Sequence, residues 1–100
     1  MKIAAVNACI TEAKRNLGEA LITTNIVGLQ DGQAIARHNS NSKLEAILAQ
    51  ITTFLRDVLK NTDIRKMDEY FFIQLDNNTA SAFITFDDYV WTVIFDTTKT

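Results

Sequence analysis

Apolar residues recur at spacings of three and four between residues 42 and 60. Leu44, Ile47, Leu48, Ile51, Phe54, Leu55, Val58 and Leu59 fall on one side of a helix drawn through this stretch. A stripe of that kind marks an amphipathic helix that needs a flat apolar partner. Its start also reads from the residues. Ser42 followed by Glu45 has the spacing of a capping box, in which the hydroxyl takes the Glu45 N–H and the carboxylate reaches back. The face opposite the stripe carries Ala46, Ala49 and Thr53. Small residues there admit another backbone at close range, although alanine is also simply a good helix former.

The same spacing predicts a first helix over residues 2–16, through Ile3, Val6, Ile10, Ala13 and Leu17. Lys14 and Arg15 suit its C-terminal dipole, and Gly18 is placed to end it in a left-handed conformation. From residue 20 the period changes. Residues 20–29 are rich in β-branched side chains, Gln30-Asp31-Gly32 is a turn signal, and residues 33–38 form the return strand. Asn39, Ser40 and Asn41 make a polar loop into the central helix. Beyond it, residues 61–68 connect to strands at 69–75, 80–86 and 89–96, with turns at 76–79 and 87–88.

The stretches 70–73 and 90–95 are apolar at successive positions, which predicts strands covered on both sides. An α+β domain in the order α-β-β-α-β-β-β accounts for this: one five-stranded, mainly antiparallel sheet with the first helix on one face and the central helix on the other. One hundred residues form one domain, residues 1–100, with a single core.

Composition narrows the functional classes. Ten basic against twelve acidic residues, with no basic cluster, argue against a nucleic-acid surface. No apolar run approaches the ~20 residues of a membrane span, and the N-terminus makes a poor signal peptide. One cysteine rules out an internal disulfide and fits a reducing compartment, so a cytoplasmic protein is expected.

Reactive chemistry is thin. Cys9 and His38 are the residue types of a nucleophile and its base, but no third orienting group accompanies them, and Cys9 flanks the stripe of the first helix. One His and one Cys are too few for a zinc set, and the Asp and Asn residues at 76–78 and 87–88 serve as turns. Gly28 and Gly32 lack the spacing of a phosphate loop. Trp91, Tyr70, Phe71, Phe72 and Phe86 read as sheet core rather than as a stacking platform. The expectation is a non-enzyme without cofactor or metal.

Two features point outward instead. One is the small-residue face of the central helix. The other is the strand 69–75, which lies at or near a sheet edge with only Asp68 and Glu69 to guard it. Together they suggest a homodimer made by strand pairing, with helices abutting above.

In this order the words also match a family. Ala20-Leu21-Ile22 leading to Ile26-Val27, then Asp31-Gly32-Gln33-Ala34-Ile35-Ala36, the loop 39–42, the amphipathic helix and the final Ile94-Phe95-Asp96 resemble the roadblock/dynein light-chain family. The resemblance runs from about Leu17 to Asp96 and implies a roadblock/profilin-like fold. It implies a dimer that pairs the strand after the central helix across a two-fold. By position, Ala46, Ala49, Gln50 and Thr53, with Tyr70, Phe71, Phe72, Ile73 and Leu75, would form that interface. Members act as non-catalytic regulators or scaffolds of Ras-like GTPases, or as adaptor subunits. Many continue into a further C-terminal helix, whereas this chain stops at Thr100.

The function expected is therefore a homodimeric interaction module for a Ras-like GTPase. The alternatives are a structural or signalling adaptor without a GTPase partner, or a small-molecule sensor, for which a polar cluster inside the core is not evident. Two central helices side by side would present Glu45, Arg56, Asp57 and Lys60 to a protein partner.

Overall fold

In a computed structural model, α1 (Ile3–Leu17) is followed by a 3₁₀ turn (Gly18–Ala20), β1 (Leu21–Gly28), β2 (Ala34–His38), α2 (Ser42–Asn61), β3 (Tyr70–Gln74), β4 (Thr79–Phe86) and β5 (Tyr89–Asp96). The structure describes residues 3–61, 70–76, 78–86 and 88–99. The connection 62–69, with the edge guards Asp68 and Glu69, lies outside the described residues, as do Asn77 and Asp87 of the two expected turns and the side chains of Leu59, Lys60 and Tyr70. The element order is the expected one. Gly18 does end α1 with a positive φ of 52°. Gly32, at φ 69°, brings the β1–β2 turn against the Ala46 backbone, where a Cβ would sit 3.5 Å from the Ala46 Cα.

All strand pairs are antiparallel, in the order β2-β1-β5-β4-β3. The C-terminal strand is therefore central, and β2 and β3 are the edges. Strand alternation sorts the side chains. Val27, Val90 and Phe83 point to one face and form the core with Leu48 and Ala49 of α2, and Phe71 stacks on Phe83 at 4.5 Å. Thr24, Ile26 and Val93 point to the other face and are buried, as are Val6 and Ala13 of α1, which lies against β1 and β2. The two helices thus take opposite faces.

Cover on the α1 face is incomplete. Phe72 is 63% exposed, and on the same face its direct partner Ala82, the diagonal neighbour Ile84 and, one strand further, Trp91 are only partly buried. The expectation that the strand at 70–73 is covered on both sides is corrected: α1 sits over the β1–β2 half of the sheet, and Phe72 stays mostly exposed. Trp91 is held in place by its indole N–H, which donates to Thr24 Oγ1 at 2.9 Å.

Local irregularities shape the ends of elements, among them a register shift at Ile22 between β1 and β5. Ile26 pairs with Ala36 and Val27 with Ala34, so Ile35 is an extra residue, a β-bulge in the edge strand β2. Past β5, the Thr98 hydroxyl and then its backbone N–H donate to the Asp96 carboxylate, which holds that carboxyl below its usual range.

The helix cap differs from the sequence expectation. Asn41 does the capping: its Oδ1 accepts the Leu44 N–H at 2.9 Å and its carbonyl accepts the Glu45 N–H at 3.0 Å. Ser42 is the first helical residue, and the Glu45 carboxylate turns elsewhere. Asn41→Ala should therefore lower stability by about 1 kcal/mol in urea denaturation, with Ser42→Ala near neutral. The reverse ranking would return the cap to Ser42.

Candidate interaction surface

An α-helix turns 100° per residue, so the residues it buries define its orientation. Those of α2 are Glu45, Leu48, Ala49 and Thr52. That face lies roughly a quarter turn away from the centre of the apolar stripe. Consequently Leu44, Ile51 and Leu55 are half-buried, while Ile47, Phe54 and Val58 are exposed, Phe54 to 67%. Arg37 of β2 reaches Glu45, and the β1–β2 turn abuts Ala46; these contacts fix the flank of α2 that faces β2. Gln50, Thr53 and Asp57 follow Ala46 at spacings of four, seven and eleven and so share its flank, while Ile47, Phe54 and Val58 point away from the sheet.

At the end opposite β2 the sheet closes with β3, which pairs with β4. Among the described residues no strand pairs with its other edge. Phe71 and Ile73 point to the α2 face and are half-buried, and Leu75 just beyond the strand is exposed. The exposed face of α2 and the end strand β3 are thus two apolar features of the described surface. Single exposed apolar residues need no explanation, but several repeated along one helix face mark a candidate interaction surface.

The expected interface residues divide. Gln50 and Thr53 are exposed on α2, beside an open groove shared with Leu29, Phe54 and Asp57, and Ala46 is half-buried under the turn. Ala49 is only 3% exposed and belongs to the core cluster with Val27 and Phe83, while also lining the floor of that groove. Ile47, Phe54 and Val58 were assigned to the core by the sequence pattern and stand outside it. The partner surface also changes. Arg56 and Asp57 are exposed, the Lys60 side chain lies outside the described residues, and Glu45 is fully buried.

Glu45 is buried because its partners come from elsewhere in the chain. Arg37 Nη2 donates to Oε1 at 2.9 Å, Ser40 Oγ donates to Oε2 at 2.7 Å, and Asn25 Nδ2 donates to Ser40 Oγ at 3.0 Å. The network leads from a half-exposed guanidinium into the middle of the sheet. Around it, Thr23, Asn25, Thr52, Ser81 and Thr92 are buried as well. The expectation that the core lacks a polar cluster is therefore corrected. Its trace in the sequence is the period-two spacing of Thr23 with Asn25, polar on the face where Val27 is apolar.

Among the described residues no group of three His, Cys, Asp or Glu side chains is placed to hold a metal, and no helix is long and apolar enough to cross a membrane. Cys9 is half-buried on α1.

No family model and no curated protein sequence matches the chain. Solved structures do. Myxococcus xanthus MglB superposes with a TM-score of 0.82 at 14% identity, over 99% of this chain and 75% of that one. A roadblock/LC7 domain from Streptomyces avermitilis gives 0.72 at 10% identity, over 87% and 74%. An MglB with a tetrameric arrangement gives 0.76 at 11% identity, over 97% and 74%. At these identities the likeness is one of fold: the chain has the roadblock fold.

Proposed function

We propose that this protein is a non-catalytic homodimeric module that regulates or scaffolds a Ras-like GTPase. The observation that carries the reading is the exposed apolar face of α2, Ile47, Phe54 and Val58, together with the position of β3 as an end strand of the sheet. In the proposed dimer, β3 pairs with its own copy across a two-fold axis, and the α2 helices meet above it. Ile47, Phe54 and Val58 join Gln50 and Thr53 at the helix seam, while Phe71, Ile73 and Leu75 serve along the strand. A stable pair of this kind buries on the order of 1,200–2,000 Å² in total. The tetrameric arrangement of a protein with this fold favours self-association through its surfaces.

The GTPase half of the proposal rests on the family resemblance of the first hairpin and the central helix. Paired α2 helices offer a platform wider than one helix, edged by the exposed charges Arg56 and Asp57. A GTPase docked there would have its switch segments held in one arrangement, with no nucleophile or metal supplied by this chain. The test is a pull-down from the native source with the dimer as bait, alongside the variant carrying Arg56→Glu and Asp57→Lys. A GTPase retained by the parent and lost from the variant is the expected result. Recovery of no GTPase in either nucleotide state would transfer the assignment to the adaptor role.

A further inference from the structure

Beneath α2 the sheet carries a row of buried polar atoms without protein partners: Asn25 Oδ1 on β1, Thr92 Oγ1 on β5 and Ser81 Oγ on β4. All three residues are at most 1% exposed. Their positions are tied by the sheet register. Asn25 pairs directly with Thr92, which sets their side chains side by side on one face. Thr92 pairs with Phe83, and Ser81 stands two residues along on the same face, so it is the diagonal neighbour of Thr92. The Asn25 amide already uses one end on Ser40. Ser40 Oγ gives its hydrogen to Glu45 and so can only accept from Asn25, which leaves Oδ1 as the end of the amide without a protein partner.

A buried polar atom left without a partner is costly, and native interiors satisfy such atoms with protein groups or with water. Here the neighbouring groups are engaged elsewhere. Thr52 Oγ1 donates to the Leu48 carbonyl, Thr24 Oγ1 donates to the Thr92 carbonyl from the opposite face, and Thr23 Oγ1 donates to the His38 carbonyl. We infer that this row is a binding site for internal water, at least one molecule bridging Asn25 and Thr92 and within reach of Ser81. An acceptor and two hydroxyls, each able to donate or accept, supply the two to four polar contacts a buried water makes. The site belongs to the monomer and does not depend on the proposed partner.

Water ¹⁷O magnetic relaxation dispersion reads this directly, because it reports water molecules held inside a protein for longer than nanoseconds. The parent protein should show a dispersion step, and the variant Ser81→Ala/Thr92→Val, which removes two of the ligands at near-constant shape, should lose at least half of its amplitude. Amide spectra of both proteins would verify that the fold is retained. Should that variant not fold, Thr92→Val alone and a high-resolution crystal structure of the parent take its place, with a water expected within hydrogen-bond distance of Thr92 Oγ1. A parent without a dispersion step, an amplitude unchanged by the substitutions, or a crystal structure with no water at Thr92 would overturn the inference.

Discussion

Phe54→Arg should convert the proposed dimer into monomers without unfolding them. Phe54 is 67% exposed in the single chain, so its replacement leaves the core as it is. At the seam between two α2 helices the same position would be central, against Gln50, Thr53 and Asp57 of the shared groove. Truncation of such an aromatic anchor costs about 2 kcal/mol or more, and an arginine adds the desolvation of a charge. The dissociation constant should therefore rise by roughly 30-fold or more. Sedimentation across a concentration series measures it, with circular dichroism to verify the fold. An unchanged two-chain species would remove the α2 seam from the interface, and a parent that sediments as a monomer throughout would remove the dimer itself.

Arg37→Met should destabilise the domain more than its exposure suggests. Half of the Arg37 side chain is in water, yet its partner carboxylate on Glu45 is almost fully enclosed. Without Arg37 that carboxylate keeps only the Ser40 hydroxyl as a side-chain donor. Breaking a fully buried pair costs ~3–5 kcal/mol; because the arginine end is half solvated and water can approach from that side, about 2–3 kcal/mol is expected here. The double variant Arg37→Met/Glu45→Gln removes the stranded charge and should recover part of the loss. Urea denaturation of the single and double variants completes the comparison. Additive losses in the two would show that the pair is not coupled.

Much of the architecture was legible before the structure. Element order follows from the change of period at residue 20 and its return at residue 42, and Gly18 ends α1 as its position implies. What pattern alone misassigned is the orientation of α2. A glutamate in the first turn ordinarily reads as a capping residue on the water side, and apolar neighbours read as core. Here the burial of Glu45 is decided by Arg37 and Ser40, which local periodicity does not link to it. Once Glu45 turns inward, Ala49 and Thr52 go with it, and Ile47, Phe54 and Val58 are carried outward. The polar row was missed for a related reason: Asn25, Thr92 and Ser81 become neighbours only through the pairing of β1 with β5 and of β5 with β4.

The bulge at Ile35 bears on how far assembly can proceed. The sheet has two ends, and they are not equivalent. Strand β3 is an unbulged ladder along its pairing with β4, whereas β2 is a five-residue strand interrupted by an extra residue. Such a break disrupts the hydrogen-bond spacing that an incoming strand would need. If two copies join through β3, the outermost of the described strands are then the two bulged ones. Growth of the sheet then halts at a closed pair under point-group symmetry, and the route to an open fibre is blocked by one residue.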